Sequence, residues 1–395
     1  MGFDWIFVNP IQRTGASGSL YSIADYFDID PRLVDSQSDT GPLEQVRAVI
    51  DQAHRLGLRV MIDLVINHCA IDSKLVTQHP VWFKREAGRV QSPYCIEDGK
   101  KHIWKDLAQF DHVAGSDSEG LFRYLVSVVE HLISLGFDGF RCDAAYQVPQ
   151  HFWTRLLRQV RTRRPDVVFV AETLGCTADQ TRDTAEAGFD FVFNSSKWWD
   201  FRSSWLLEQY ELTRETVPSI GFPESHDTQR LYVESCHNDA ALRQRTLLTF
   251  LFATGAMIPI GFEFGFERRL HVVTTNSSDW EEPKLDLTDF IKRLNALKTQ
   301  YPVFHEECPT QFLTLDNPNV LGMWKGSTTT RREALVLLNI DVQARQTLWV
   351  PTLRRMVQSA APLTCVSPDN PLDYVAEPFH YELRPGEAIV LVTSR

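Results

Sequence analysis

The stretch LRVMIDLVIN, residues 58–67, is apolar almost throughout and is closed by polar residues. A strand that is exposed on one face alternates apolar and polar residues, whereas a strand covered on both faces is almost continuously apolar. This stretch therefore predicts a buried strand of a parallel sheet. The polar residues towards its end, Asp63, Asn67 and the following His68, are expected at the carboxyl edge of that sheet.

Six further apolar runs of the same kind recur along the chain and are separated by amphipathic helical stretches. The runs are FDWIFVNP from Phe3, FDGFRCDA from Phe137, VVFVAET from Val167, FDFVFN from Phe189, SIGFPES from Ser219 and MIPIGFEF from Met257. The helix candidates are Leu43 to Leu56, Leu121 to Leu135, Phe152 to Thr162 and Ala241 to Phe252. Buried strands that alternate with helices predict a parallel sheet wrapped by helices.

The fold class predicted from this alternation is an α/β protein with a TIM (β/α)8 barrel. Seven runs are visible, and the first begins almost at Met1, so the barrel is expected to lack its first strand and helix in this chain. We expect the missing pair to precede Met1 in a longer protein, because an open arc of seven strands would expose two unpaired edges.

Two segments do not follow the alternation of strands and helices. Residues 69–117 are rich in Pro and aromatic residues and predict a small inserted subdomain. After about Tyr301, short strands such as EALVLLNI and AIVLVT replace the helices and predict an antiparallel β domain. The predicted domains are a catalytic barrel over residues 1–298, which contains the insertion, and a C-terminal β-sandwich over residues 302–395.

Charge and composition exclude some classes of partner. The formal charge of -11, from 40 Lys and Arg against 51 Asp and Glu, would repel a nucleic-acid backbone. The most apolar stretch, Leu247 to Phe262, is broken by Gly255 and Pro259, so it predicts a buried helix that leads into a buried strand rather than a membrane span. No nucleic acid and no membrane are therefore expected as partners, and the oligomeric state is left open.

The cysteines and the start of the chain favour the cytoplasm. The seven Cys residues are scattered without metal-ligand spacing, and an odd number suits a reducing compartment. No signal peptide opens the sequence. We therefore predict a cytoplasmic location.

Charged residues that close the buried runs are candidates for chemistry, because the reacting groups of parallel barrels lie at the carboxyl ends of the strands. Arg141 and Asp143 close one run, Glu172 closes the next, and Glu224 to Asp227 close a third. Burial of charge is costly, so several such groups on one sheet predict a functional site.

The local patterns assign different roles to two of these carboxylates. Arg141 and Asp143 are two residues apart on a strand and point to the same side, so the guanidinium favours the ionised form of Asp143. Glu172 follows the apolar residues Val168 to Ala171, so burial is expected to raise its pKa, as suits a general acid. An acid and a nucleophile of this kind form a retaining pair when the carboxyl groups lie about 5 to 5.5 Å apart.

Four motifs resemble, in order and identity, the conserved regions of the alpha-amylase family of glycoside hydrolases. They read MIDLVINH, GFDGFRCDAAYQVP, FVAETLG and FPESHDTQRL, and the segment SLYSIADYFDIDP resembles the tyrosine-bearing loop of that family. The resemblance covers essentially the whole chain and implies a TIM-barrel enzyme that cleaves or transfers sugar units.

The resemblance also implies roles for individual residues. Asp143 corresponds to the nucleophile, Glu172 to the general acid/base, and Asp227 to the third carboxylate, which grips sugar hydroxyls and stabilises the transition state. The positions that match substrate-binding residues of the family are Tyr21, Asp25, His68, Arg141 and His226, and Asn67 matches a position that usually shapes the site.

Other polar and aromatic residues have more than one interpretation. Asn67 is a calcium ligand in some members of the family, but no metal and no cofactor are predicted, because the partner ligands cannot be placed. Asp63 is interpreted as a buried structural carboxylate, and Glu224 as either structural or part of the site. Trp198 and Trp199 suit a sugar platform and packing about equally and are left out of the predicted site.

The leading hypothesis is a retaining enzyme that acts on α-glucosidic bonds of α-glucans or malto-oligosaccharides through a covalent glycosyl intermediate on Asp143. Water as the acceptor makes it a hydrolase, and a sugar hydroxyl or phosphate makes it a transferase. Residues 79–111 resemble maltosyltransferase-type members, whereas the tripeptide Ser225–Asp227 looks more like hydrolases. The alternative from another class is a non-catalytic, amylase-like binding module.

Overall fold

A computed structural model describes residues 1–97 and 100–394, which fall into two compact units. The N-terminal unit comprises Phe3–Phe193 with Val272–Thr274, and the C-terminal unit comprises Met1–Gly2, Asn194–His271 and Thr275–Arg395. Residues 98–99, inside the predicted insertion, and residue 395 lie outside the described residues. No helix in the described part of the chain is long and apolar enough to cross a membrane.

Five parallel strands form the sheet of the N-terminal unit. In spatial order, which is also their order in the sequence, they are Trp5–Val8, Arg59–Leu64, Gly139–Cys142, Val168–Ala171 and Phe191–Phe193. Each lies within a predicted apolar run, and three of them are almost wholly buried, as a strand covered on both faces should be. Their parallel pairing brings the carboxyl ends of all five strands to one edge.

Helices connect these strands and cover the sheet. The main helices of this unit are Pro42–Arg55, Ser118–Leu135, Gln150–Arg163 and Ala178–Ala185. The helix Ser118–Leu135 begins where the Asp117 carboxylate accepts the Gly120 N–H and ends at Gly136, whose φ of 111° suits glycine. The three helices predicted in this part of the chain are confirmed, whereas Ala178–Ala185 was not predicted.

Short antiparallel pairs occupy the loops of the N-terminal unit. They are Gln12–Thr14 with Ile23–Ile29, His68–Ala70 with Leu107–Gln109, Arg85–Glu86 with Arg89–Val90, and Tyr94–Glu97 with Lys100–Ile103. One short helix, Lys74–Gln78, follows an N-cap at Ser73. Most of these elements lie within residues 69–117, and the boundaries of the inserted subdomain stay a prediction.

The C-terminal unit contains two short parallel strands, Ser219–Gly221 and Gly255–Ala256. The predicted strand from Met257 is wrong in position, because the observed strand is Gly255–Ala256. The pairing extends one residue further through the Met257 N–H, which donates to the Gly221 carbonyl. Pro259 has no N–H for a ladder, and Gly261 has a φ of 86°. The helices of this unit are Trp205–Thr213, Leu231–Glu234, Asp239–Phe252 and Thr288–Gln300, and the third confirms the predicted helix of the apolar stretch.

Two antiparallel sheets end the chain, as predicted. The larger has the order Thr310–Leu313, Val320–Gly326, Glu333–Asn339, Ala388–Thr393 and Leu363–Cys365, and the smaller pairs Gln346–Val350 with Phe379–Leu383. One core joins them, since buried side chains from both sheets belong to the same cluster, among them Leu335, Leu337, Leu348, Leu383 and Ile389. The start of this domain at residue 302 stays a prediction.

Glu333 is expected to stabilise the C-terminal sheets. Its buried carboxylate accepts hydrogen bonds from the Trp324 indole (2.6 Å), the Gln358 N–H (2.5 Å) and the Ser359 N–H (2.8 Å). Burial works to raise the pKa of Glu333, but these donors lower it on balance. We expect Glu333→Gln to reduce the free energy of unfolding by about 1–3 kcal/mol at pH 7.

The pH dependence of this loss follows from the sign of the shift. A lowered pKa means that the stabilisation is complete above the unfolded value of about 4.3 and is lost as the pH falls through the folded value. Urea unfolding of the wild type and the variant should therefore converge in acid. A difference that stayed constant down to the acid transition would contradict the role of the ionised carboxylate.

Candidate active site

Arg141 links three carboxylates at the carboxyl edge of the N-terminal sheet. Its Nη1 donates to both carboxylate oxygens of Asp63 at 3.0 Å and to Oδ1 of Asp143 at 2.8 Å. Its Nη2 lies 3.9 Å from Oε2 of Glu172. Only 6% of the Arg141 side chain is exposed, so these charges interact with little screening by solvent.

The strand register places these side chains together. Arg141 lies opposite Asp63 on one neighbouring strand and opposite Val170 on the other. The hydrogen-bond ladder continues past the strand ends, where the Asp143 N–H donates to the Leu64 carbonyl and the Glu172 N–H to the Cys142 carbonyl. Asp143 and Glu172 therefore leave adjacent strands at the same level, next to one guanidinium.

Backbone N–H groups hold the Glu172 carboxyl in place. The Ala144 N–H donates to Oε2 at 2.7 Å, and the Leu174 N–H donates to Oε1 at 3.1 Å. Ala144 adopts the left-handed conformation, with φ 43° and ψ 45°, which is uncommon for a residue with a side chain. This turn, directly after Asp143, thus orients the Ala144 N–H towards the Glu172 carboxyl.

The environment of Glu172 favours its protonated form. Burial and the negative charge of Asp143 raise its pKa to about 7, against the opposing effects of Arg141 and the two N–H donors. The predicted raised pKa is therefore supported, and its cause includes the partner carboxylate as well as the apolar strand. A carboxyl group that is protonated near neutral pH can donate a proton to a leaving group.

Asp63 depends on Arg141 for its charge balance. The Asp63 side chain is fully buried. Burial alone would lower the pKa of Arg141, but Asp63, Asp143 and Glu172 raise the pKa of Arg141 well above its usual value.

We expect Arg141→Met to reduce the free energy of unfolding by about 3–5 kcal/mol, because it leaves buried carboxylates without a cation. Urea denaturation monitored by tryptophan fluorescence measures this loss.

A surface pair provides the matched control for that measurement. Arg182 pairs with Asp179 at 3.0 Å, but 48% and 84% of the two side chains are exposed. Arg182→Met should cost less than about 1 kcal/mol. Equal losses from the two substitutions would contradict the buried role of Arg141.

Tyr21 and His68 lie close to the same cluster. The Tyr21 hydroxyl donates to Oδ2 of Asp63 at 2.6 Å, which fixes the ring through its polar end. His68 is buried beside Asn67, with 3.5 Å between its Nδ1 and the Asn67 amide nitrogen. Burial lowers the pKa of His68, although the charge of Asp143 works in the opposite direction, so the imidazole is neutral at pH 7.

The structure does not bring Asp25 to this cluster. Asp25 is exposed, and its carboxylate accepts a hydrogen bond from the Phe27 N–H. Its strand neighbour Tyr26 points inwards instead, where the hydroxyl donates to the carbonyls of Val65 and His68. Because successive side chains of a strand point to opposite faces, Asp25 faces away from the sheet edge.

His226 and Asp227 lie in the C-terminal unit, in the segment that follows the strand Ser219–Gly221. They form a local pair with 3.2 Å between His226 Nε2 and Asp227 Oδ2, and 61% of the Asp227 side chain is exposed. Their convergence with Asp143 and Glu172 on one sugar stays a prediction.

Glu224 has a structural role in this segment. Its buried carboxylate accepts hydrogen bonds from Arg230 Nη1 at 2.8 Å and from the Leu231 N–H, the first N–H of a short helix. Arg230 in turn donates to the Arg268 carbonyl. The interpretation of Glu224 as a structural residue is therefore supported.

Two contacts near the candidate site were missed in the sequence. The N–H groups that hold Glu172 give no side-chain signal, although the position of Ala144 directly after Asp143 places it at the site. Gln147 also lies here, with its Oε1 accepting from the Asn67 amide at 2.9 Å. It stands four residues after Asp143, where a side chain on the same loop can reach the preceding strand.

Asn67 is the residue that the resemblance links to calcium. Its Oδ1 is buried without a hydrogen-bond partner, as an orphaned metal ligand would be. However, the described residues contain no group of three or more His, Cys, Asp or Glu side chains that could hold a metal ion. Calcium ligands are mostly carboxylate and carbonyl oxygens, and no catalytic step below uses a metal.

The chain is similar in sequence to enzymes that are named for their action on α-glucans or maltose. The family profile described as "Glycogen debranching enzyme, glucanotransferase domain" matches residues 1–83. An alpha-1,4-glucan:maltose-1-phosphate maltosyltransferase from Burkholderia pseudomallei is 24% identical over 86% of this chain and 31% of its own length. An intracellular maltogenic amylase from Bacillus subtilis is 27% identical over 81% of this chain and 56% of its own length. The chain thus spans about a third of the length of the first relative and just over half of the second.

Solved structures with the same fold cover nearly the whole chain. An alpha-amylase from Lactobacillus plantarum superposes with a TM-score of 0.76 and 22% identity, over 99% of this chain and 91% of that one. The maltogenic alpha-amylase AmyB from Thermotoga neapolitana gives 0.77 and 21%, over 100% and 91%. The predicted fold class, a β/α barrel with a C-terminal antiparallel β domain, is confirmed.

Proposed function

The chain is a relative of the alpha-amylase family of enzymes in sequence and in fold, and from this premise we propose that it is a retaining enzyme acting on α-glucosidic bonds. The substrates proposed are α-glucans or malto-oligosaccharides. The observation that carries this proposal is the pair of carboxyl groups, Asp143 and Glu172, at 2.8 and 3.9 Å from one buried guanidinium.

The two carboxyl groups suit the two halves of a double displacement. Asp143 attacks the anomeric carbon while Glu172 gives its proton to the leaving glycosidic oxygen. This step breaks the glycosidic bond, forms a glycosyl ester on Asp143 and leaves Glu172 ionised. Glu172 then takes a proton from the acceptor hydroxyl, which attacks the same carbon and releases Asp143 as a carboxylate. The acidity that the first half needs is supported by the raised pKa of Glu172.

The remaining predicted residues are proposed to hold the sugar. Tyr21 would stack on the ring that is attacked, and His68 and His226 would hydrogen-bond its hydroxyls. Asp227 would grip two hydroxyls and stabilise the positive charge of the transition state. The fixed ring of Tyr21 and the neutral imidazole of His68 support these assignments, because a neutral histidine can donate and accept.

The acceptor decides between hydrolase and transferase, since both share the first half-reaction. Maltosyl transfer is supported by the maltosyltransferase relative and hydrolysis by the maltogenic amylase relative. Incubation with maltoheptaose, with and without maltose 1-phosphate, followed by sizing of the products, separates them. Elongated products that require maltose 1-phosphate indicate a transferase, and short products without it indicate a hydrolase.

A cytoplasmic location is also proposed, in line with the word "intracellular" in the name of the amylase relative.

The pH profile of kcat/KM is expected to report Glu172. Its raised pKa of about 7 means that the acid is protonated and active below that pH, and that activity is lost as the pH rises through it. Above about pH 7, kcat/KM should fall tenfold for each pH unit. Initial rates on maltoheptaose between pH 5 and pH 9 measure this limb.

A substrate that needs no protonation is the control for the basic limb. Maltosyl fluoride releases fluoride without a proton from the enzyme, so the limb should flatten with this substrate. A basic limb of equal steepness on both substrates would assign it to another group and contradict the role of Glu172.

A further inference from the structure

The structure separates two tryptophans that the sequence places side by side. Trp199 is a core residue: it is 1% exposed, its ring stacks on Phe312 with 4.4 Å between centroids, and its indole N–H donates to the Ser203 carbonyl. Trp198, by contrast, is 52% exposed. One of the two therefore packs inside the C-terminal unit, and the other presents its indole to solvent.

Buried contacts fix the backbone on both sides of Trp198. The ammonium of Lys197 lies 2.7 Å from Oε2 of Glu234, and only 4% of the Lys197 side chain is exposed. The Ser196 N–H donates to the Asn194 side chain, and the Trp198 N–H closes a turn onto the Ser195 carbonyl. Together with the anchored Trp199, these contacts hold an exposed aromatic ring on a rigid segment.

A buried phenylalanine links Trp198 to the predicted site segment of the same unit. The Phe222 ring is perpendicular to the Trp198 ring, with 5.8 Å between centroids. Phe222 is 0% exposed and directly follows the strand Ser219–Gly221. The same segment continues to Asp227. Trp198 therefore lies at the carboxyl end of this strand, the end at which barrel enzymes carry their reacting groups.

We propose that Trp198 is a stacking platform for a glucose ring of the substrate other than the ring that is attacked. The inference rests on the proposed function and adds a determinant of chain-length preference. The C–H face of a glucose ring is apolar, and a large aromatic ring covers it while its own polar edge stays in water. A ring that is carried on a fixed backbone and packs against Phe222 loses less conformational entropy on binding than a ring on a mobile loop.

The test compares chain-length profiles of three variants with the wild type. Trp198→Ala removes the platform, Trp198→Phe keeps an aromatic face, and Trp349→Ala removes another exposed tryptophan, 51% exposed on the outer face of the C-terminal sheets. Values of kcat/KM are measured on maltotriose through maltoheptaose. Melting temperatures of all variants check folding, and an exposed indole should be removable without loss of the fold.

Trp198→Ala is expected to lower kcat/KM on maltoheptaose about tenfold and on maltotriose less than about twofold, as the loss of one aromatic contact predicts. Trp198→Phe should recover most of the loss, and Trp349→Ala should match the wild type. An equal loss at every chain length, or no loss at any, overturns the platform while leaving the proposed function in place.

Failure of the proposed function gives a different result. If the wild type turns over no malto-oligosaccharide, the proposed activity has failed, and binding of maltoheptaose by calorimetry then decides on the platform. Binding that is about tenfold weaker in Trp198→Ala than in the wild type and in Trp349→Ala supports it. Equal affinities, or no binding to the wild type, overturn it.

Discussion

Asp143→Asn is expected to reduce kcat/KM on malto-oligosaccharides by at least about 10,000-fold, the largest effect of any single substitution proposed for this chain. The amide is nearly the same size as the carboxylate, and its oxygen can still accept the hydrogen bond that Arg141 makes to Oδ1 at 2.8 Å. The variant should therefore fold, while a neutral amide cannot form the glycosyl ester.

A surface aspartate provides the control for this loss. Asp183 is exposed on the helix Ala178–Ala185, and Asp183→Asn makes the same chemical change away from the sheet edge. Initial rates and thermal unfolding of both variants separate loss of chemistry from loss of fold. Full turnover by Asp143→Asn would remove the nucleophile assignment and the proposed mechanism with it.

Glu172→Gln is expected to reduce kcat/KM on maltoheptaose by about 1,000-fold, because the amide cannot give a proton to the glycosidic oxygen. The loss should be much smaller on maltosyl fluoride, for which the first half-reaction needs no acid. Glutamine keeps an acceptor for the Ala144 or Leu174 N–H, so the local turn should persist. This selective loss distinguishes an acid catalyst from a residue that only maintains the structure.

The exposed Glu186 provides the matched control for that substitution, and Glu186→Gln should leave both substrates unaffected. Equal losses by Glu172→Gln on the two substrates would contradict the acid/base role. The basic limb near pH 7 should also disappear in Glu172→Gln, since the titrating group is gone.

The parallel strands were predictable because each is a continuous apolar run that is closed by polar residues. Arg141 and Asp143 were expected on one side of a strand, and the structure pairs them and places the Arg141 guanidinium next to Asp63 and Glu172 as well. The strand near Met257 was misplaced, because the apolar run there includes residues that pack outside the ladder. Periodicity marks burial, and it does not by itself show where hydrogen-bonded pairing ends.

Side-chain direction and local contacts were harder to predict. Asp25 belongs to a motif that resembles a site loop, yet strand alternation turns it away, and its neighbour Tyr26 points inwards. Glu224 closes an apolar run as Asp143 does, but Arg230, six residues later, neutralises it. Both outcomes depend on the local direction of the backbone, which the residue types in these two motifs do not specify.

The charge of Asp143 is one of the causes that keep Glu172 protonated. In the proposed mechanism, the acidity of Glu172 therefore changes when Asp143 reacts and returns when Asp143 is released. Esterification of Asp143 would remove that negative charge, so the affinity of Glu172 for its proton would drop just when a base is needed. Arg141 would meanwhile keep its hydrogen bonds to Asp63. Release of the sugar would restore the aspartate and, with it, the acid for the next turnover.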